Sequence, residues 1–260
     1  MDIACSTALL VLLVMLSAAY GVRLARVGRA RHTRVEKEGE SAILAKGAME
    51  MMVWSVQPIV NVFARLRISP DAVTLASLAF GIAAGLAFGT GHLGVGAALA
   101  VAAGAGDALD GLLARRLGVA SEAGEVLDAA VDRVVDFALF GGLLFYYREH
   151  AGFFVLTLFA LLASSMISYS TAKAEALHVV PPRGSMRRVE RAVILTSAAM
   201  LTPLTALFGP MWRDLPLVLA LGTIAFLGSL SAIQRIATVR SEVRQRETIR
   251  QDGTTQKAAE

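Results

Sequence analysis

Four aspartates, Asp107, Asp110, Asp128 and Asp132, lie inside stretches otherwise apolar enough to cross a bilayer. An ionised carboxylate in hydrocarbon is costly, so such residues persist where they bind something cationic. If both stretches are helical, Asp107 and Asp110 are three residues apart and Asp128 and Asp132 four, and each pair shares one helix face. Two such faces meeting gather an oxygen-rich ligand set. That set suits hard divalent cations such as Mg²⁺ or Mn²⁺, and a pair of these ions can clamp a phosphoryl group. Helix caps or buried ion pairs with Arg115, Arg116 and Arg133 are the bland alternative, but four carboxylates against so few bases leave uncompensated charge at low dielectric.

Hydrophobic residues make up 55% of the chain, and they fall into runs long enough to span about 30 Å of hydrocarbon. Candidate spans are 3–22, 72–91, 93–113, 124–147, 152–174, 192–208 and 215–234. The pattern describes an all-α polytopic membrane protein in which one short turn, 116–123, separates the two acidic pairs. Basic residues crowd alternate loops: many between Arg23 and Arg67, then Arg115 and Arg116, then Lys173 to Arg191, then the tail after Arg235. The positive-inside rule puts those loops and the acidic turn in the cytoplasm, the N-terminus outside and the C-terminus inside. The net charge of +4 therefore reflects topology and anionic headgroups rather than nucleic acid.

The first span has Asp2 in place of a basic leader and its arginines follow the apolar run, so it reads as an uncleaved anchor over 1–22. The single Cys5 permits no intrachain disulfide. Residues 23–47, with the run Arg34-Val35-Glu36-Lys37-Glu38-Gly39-Glu40, form a cytoplasmic linker. Over 48–70, Met52, Val53, Val56, Val60 and Phe63 recur at helical intervals beside Gln57, Asn61 and Arg65, the pattern of an interfacial amphipathic helix that Pro58 should kink. Ser69 or Asp71 can cap the following span around Pro70. The core is expected over 71–235 and a polar tail over 236–260, frayed from Ser241 onward.

The spacing D-x2-D-G-x2-A-R-x8-G-x3-D-x3-D, from Asp107 to Asp132, has every position of the signature of the CDP-alcohol phosphotransferase family. The resemblance covers roughly Pro70 to Arg191. It implies a six-helix catalytic core, here with an extra N-terminal transmembrane helix and the interfacial helix, assembled as a homodimer in the cell membrane with its active site facing the cytoplasm. It also implies phospholipid biosynthesis: transfer of a substituted phosphate from a CDP-alcohol to a hydroxyl acceptor, with CMP released. By the same resemblance Asp107, Asp110, Asp128 and Asp132 hold Mg²⁺ or Mn²⁺, two ions in all, and Asp132 is also the base that deprotonates the acceptor. The CDP-alcohol would meet Asp71, Thr74, Gly111, Ala114, Arg115, Ser121 and Gly124. Helix capping by Asp71 and Ser121, and close helix packing by the glycines, are competing explanations of those residues.

Beyond the signature, Ser168-Tyr169-Ser170-Thr171-Ala172-Lys173-Ala174-Glu175 and Arg188-Val189-Glu190-Arg191 are similar to segments of the branch that makes phosphatidylinositol phosphate or its archaeal ether-lipid counterpart. Ser168, Lys173, Arg188 and Arg191, with Arg183 and Arg187 nearby, would then bind a phosphate-bearing polyol. Thr171 stands where members using inositol phosphate often carry lysine, so the resemblance leaves the acceptor open between inositol phosphate, glycerol phosphate and another alcohol. Asp136, one turn beyond Asp132, either pairs with Arg133 or supports the acceptor pocket. A cation-coupled transporter would also use intramembrane carboxylates, but it calls for acids near mid-membrane, related halves and broken helices. Here the acids flank one short turn. An inactive membrane scaffold is disfavoured by the intact tetrad.

Overall fold

The computed structural model describes residues 1–28, 46–180 and 186–259, and the charged run 34–40 and Arg183 lie outside them. Helix α1 is Asp2–Val27, α2 Lys46–Arg65, α3 Pro70–Gly89, α4 Leu93–Leu117 and α5 Glu122–Tyr146. Helix α6 is Ala151–Ala176 and α7 Arg188–Thr205. A 3₁₀ turn, Ala206–Phe208, and the short α8, Pro210–Arg213, lead to α9, Leu215–Ala259. No strand occurs among the described residues.

Six of these helices, α1, α3, α4, α6, the α7 stretch and α9, are long and apolar enough to cross a membrane. Helix α5 is of matching length but carries Asp128, Asp132, Arg133 and Asp136. Its apolar residues Val131, Val135, Leu139, Phe140 and Leu143 are buried in the bundle core beside the apolar helices.

Helix α3 packs against both α4 and α5 and sets the geometry of the two acidic helices. Between helices in lipid there is little hydrophobic drive, and close backbone approach supplies dispersion contacts instead. Gly85 and Gly142 make that approach: a Cβ on Gly85 would run into the carbonyl of Ala138, and one on Gly142 into the carbonyl of Gly85. On the α4 side, a Cβ at Gly106 would fall 2.8 Å from the Ser77 Cβ. Around these contacts Phe88, Ala97, Leu143, Leu195 and Leu221 close the main core.

Ser69 is the cap of α3, its Oγ accepting from the Ala72 amide at 3.3 Å with Pro70 in the first turn. Helix α2 continues through Pro58. Its Val56 and Val60 pack on Val73 of α3 and on Leu109 and Leu113 of α4. The extra helix α1 lies along α4: Asp2 Oδ1 accepts from the Val95 amide at 3.1 Å, placing Asp2 at the end of α4 opposite its aspartates. At its other end Tyr20 donates to Glu50 Oε2 of α2 at 3.0 Å, with both residues buried.

Two helices depart from the sequence reading. Helix α7 starts at Arg188 instead of residue 192, because the Glu190 side chain accepts from the Arg187 amide at 2.9 Å and closes the first turn. Arg188 and Arg191 thus belong to the helix rather than to the loop before it. The tail expected to fray is instead a continuation of α9. Val239 and Val243 pack with Ala174, Leu177 and Val179, and Arg246 donates to the Leu177 and His178 carbonyls, both at 3.0 Å, which pins the extension to the end of α6.

Gly141 and Gly142 are neighbours with different surroundings, since a Cβ at Gly141 meets nothing within 4 Å. Gly142→Ala is expected to destabilise the detergent-solubilised protein by about 1–3 kcal/mol through overpacking against α3. Gly141→Ala should leave stability unchanged or slightly improved. Thermal unfolding of the two variants side by side checks this.

Candidate active site

The last turns of α4 and the first turns of α5 carry the acids because each helix buries its apolar residues elsewhere and leaves the i, i+3 or i, i+4 acidic face turned inward. Ligand oxygens of Asp107, Asp110 and Asp128 lie within 4.8 Å of one another. Asp110 is buried and doubly held: the Thr74 hydroxyl donates to Oδ2 at 2.6 Å and the Gly111 amide to Oδ1 at 2.5 Å. Arg188 reaches in from α7 and bridges the other flank, 3.1 Å from Asp107 Oδ2 and 2.6 Å from Asp132 Oδ1. Asp128 Oδ1 is buried without a hydrogen-bond partner.

One guanidinium cannot balance four clustered carboxylates, and a buried oxygen left unpartnered costs on the order of 1–3 kcal/mol or more. A compact set of carboxylate oxygens with one orphan is the donor set a hard divalent cation takes. The residues therefore fit Mg²⁺ or Mn²⁺.

The tetrad has two flanks. Asp110 and Asp128 line a cavity of about 610 Å³ between the α2–α3 junction and the α4–α5 turn. All seven residues singled out for the CDP-alcohol, Asp71, Thr74, Gly111, Ala114, Arg115, Ser121 and Gly124, line this same cavity. Its glycines are not needed for helix packing. The nearest atoms to a Cβ at Gly111 belong to the Arg115 guanidinium, at 3.3 Å, and the nearest to one at Gly124 is Ser121 Oγ, at 3.4 Å. What they keep clear is the cavity. Ser121 is also the cap of α5, accepting from the Gly124 amide at 3.2 Å, so its capping and cavity-lining positions coincide. Arg67, in the left-handed region at φ 55, turns the chain between α2 and α3 and lines the cavity too.

On the other flank, Asp107 and Asp132 face Arg188, and behind it lies a second polar group. Asp136 Oδ2 accepts from Ser164 at 3.2 Å and from Arg191 at 3.4 Å, with Arg133 at 3.8 Å. Asp136 thus pairs with Arg133 and also supports this flank. Arg191 donates to the Met186 carbonyl at 2.8 Å and to Ser168 Oγ at 3.5 Å. Ser168, Arg188 and Arg191 are thereby drawn together with the tetrad. Lys173 is placed elsewhere, on a cavity between α6 and α9.

Sequence reasoning missed Arg235 of α9, which is buried and donates to Thr171 Oγ1 at 2.8 Å. Its only sequence signal is an arginine at the end of the last apolar run. Also missed was the hydrogen bond from Arg116, at the end of α4, to Asn61 of α2, for which no local pattern gives a cue.

A family model described as CDP-alcohol phosphatidyltransferase matches residues 67–230. The chain is 34% identical to the phosphatidylinositol phosphate synthase of Streptomyces avermitilis over 227 residues, 85% of this chain and 91% of the relative. It is 34% identical to that of Mycobacteroides abscessus over 188 residues, 71% and 83%. Among solved structures, the Mycobacterium tuberculosis phosphatidylinositol phosphate synthase in complex with manganese and citrate superposes with a TM-score of 0.64 at 31% identity, covering 71% of this chain and 88% of that one. The same enzyme with CDP-DAG bound gives 0.63 at 31%, covering 70% and 92%.

Thr74 holds a carboxylate that belongs to the tetrad, the arrangement by which an outer hydroxyl orients a metal ligand. Thr74→Val is expected to weaken Mn²⁺ binding by about 10-fold or more, whereas Thr74→Ser, which keeps the donor, should stay close to the parent. Calorimetric Mn²⁺ titration of the three proteins measures it.

Proposed function

The chain belongs to the CDP-alcohol phosphatidyltransferase family, and on that premise we propose that it transfers phosphatidyl from CDP-diacylglycerol to a hydroxyl of inositol phosphate. The general reaction follows from the family: an integral-membrane, metal-dependent transferase moves a phosphatidyl group from a CDP-alcohol to a hydroxyl and releases CMP. The acceptor and the residue roles are our reading. The observation that carries it is the two-flanked tetrad, with a cavity against Asp110 and Asp128 and an arginine cluster against Asp107 and Asp132.

In this reading the CDP half occupies the cavity, Gly111, Ala114 and Gly124 leave it room, and Arg115 pairs with a phosphate oxygen. Asp107, Asp110, Asp128 and Asp132 would hold the Mg²⁺ or Mn²⁺. Bound there, the cations supply the positive charge that offsets the pyrophosphate and acidifies the acceptor hydroxyl. Asp132 takes the hydroxyl proton. The freed oxygen bonds to the lipid-bearing phosphorus as the phosphorus–oxygen bond to CMP breaks, and CMP departs with that electron pair.

Arg188 and Arg191 hold the phosphate of the acceptor, with Ser168 beside them. Thr171 lacks the lysine charge common in inositol-phosphate users, and the Arg235 guanidinium against it offers a replacement cation. That the relatives are phosphatidylinositol phosphate synthases supports inositol phosphate over glycerol phosphate. Arg67, Arg115 and Arg116 at the active-site end, with Asp2 at the opposite end, support a cytoplasmic active site.

Purified protein given radiolabelled CDP-diacylglycerol should make a labelled lipid with inositol phosphate, and only with Mg²⁺ or Mn²⁺ present. Inositol, glycerol phosphate and serine should give none. A product with glycerol phosphate at a comparable rate overturns the acceptor assignment and leaves the reaction class intact.

Asp132→Asn should lower turnover by about 10²–10⁴-fold while CDP-lipid binding stays within a few-fold, because the asparagine keeps the shape and loses the base. Asp128→Asn should weaken both. CMP release and calorimetry on the same preparations separate the two effects, and near-normal turnover by the Asp132 variant excludes it as the base.

A further inference from the structure

A second cavity, about 560 Å³, lies between the last turns of α6 and the extension of α9, with walls running from Tyr169 to Leu177 and from Ile236 to Glu247. The α9 wall lies past residue 230, where the match to the family model ends. Three cations, Lys173, Arg240 and Arg244, and one carboxylate, Glu247, line it. None of the four has an ion pair among the described residues, although Arg246 of the same helix is paired with Glu242 at 3.9 Å. Arg240 and Arg244 are four residues apart and repel each other, an arrangement that an anion between them relieves.

The polarity is graded along one face of α9. Ile233, 64% exposed, and Ile236, 38% exposed, come first. Arg240, Arg244 and Glu247 follow at helical spacing. From Leu215 to Ile236 the helix rises about 32 Å, close to the hydrocarbon thickness, so the change from isoleucine to arginine falls at the membrane surface. Across the cavity Tyr169, 60% exposed, is of a type enriched at that depth. The extension is a fixed wall, because Val239, Val243 and Arg246 hold it to the end of α6.

We propose that this cavity binds an anionic phospholipid, its phosphate between Arg240, Arg244 and Lys173 and its acyl chains running down past Ile236 and Ile233 into the bilayer. A soluble anion would use the cations but not the exposed isoleucine stripe. A zwitterionic lipid would use the stripe but bring an ammonium into a net positive site. The lipid is bound away from the tetrad, in a cavity that neither Thr171 nor Arg235 lines.

The test uses the full chain in detergent, probed by native mass spectrometry with dioctanoyl phosphatidylglycerol, dioctanoyl phosphatidylcholine and glycerol phosphate. The parent protein should bind phosphatidylglycerol about 25-fold more tightly than phosphatidylcholine, at roughly fivefold for each of the two net positive charges left once Glu247 offsets one of the three cations. Arg240→Gln/Arg244→Gln should lose that preference while releasing CMP from CDP-diacylglycerol at the parent rate. Equal binding of the two lipids by the parent, an unchanged preference in the variant, or displacement of the lipid by an equal concentration of glycerol phosphate overturns the proposal. If the variant does not fold, photocrosslinking of the parent with a diazirine phosphatidylglycerol decides: labelling within 233–243 supports the site, and labelling elsewhere alone overturns it.

Discussion

The cost of holding four carboxylates together inside membrane helices is the constraint on which the rest of this structure depends. Asp107, Asp110, Asp128 and Asp132 repel one another and are taken partly out of water, and Arg188 reaches two of them. Such a cluster is tolerable only if cations enter it and if the surrounding helices hold it against its own repulsion. The second requirement is visible, and the donor set fits the first. Thr74 and the Gly111 amide fix Asp110, and Asp128 keeps a buried oxygen without a hydrogen-bond partner, as a metal ligand would.

Holding the cluster falls to α3, which carries no member of the tetrad. Its glycine contact with α5 and its Gly106–Ser77 contact with α4 bring both acidic helices against one scaffold while leaving a cavity between them near the turn. In lipid this packing depends on contact distance more than on burying apolar area, so a methyl group in the wrong place matters more than a lost leucine at the periphery. Helix α2 braces the same end through Val56 and Val60, and α1 braces α2 through Tyr20 and Glu50. The extra N-terminal helix thus has a mechanical path to the site without touching it.

The division of the tetrad into two flanks gives the chemistry a direction. A cavity lies against Asp110 and Asp128 and a guanidinium against Asp107 and Asp132, and in the proposed reading these take the nucleotide and the phosphorylated acceptor. An in-line displacement needs its nucleophile and its leaving group on opposite sides of the phosphorus, and a protein that separates them across one metal cluster satisfies that need by positioning alone. Asp136 and Arg191 stabilise the acceptor flank as a pair, which keeps Arg191 buried without leaving its charge unbalanced.

Much of this was legible in the chain itself. Helical periodicity alone puts Asp107 with Asp110 and Asp128 with Asp132, the resemblance of the signature to a known family implied the reaction class, and the seven residues that resemblance singled out for the CDP-alcohol all line one cavity. Hydropathy located the spanning helices because lipid tolerates few alternatives. Tertiary structure decided what depends on contacts between distant segments. It recruited Arg235 to Thr171 across 64 residues, kept the tail of α9 helical by docking it on α6, and started α7 early enough to bring Arg188 into the tetrad. It also placed Lys173 on a cavity against α9, apart from Ser168, Arg188 and Arg191. Local pattern fixes which face of a helix a residue occupies; which neighbour that face meets is set by the packing of helices far apart in the chain.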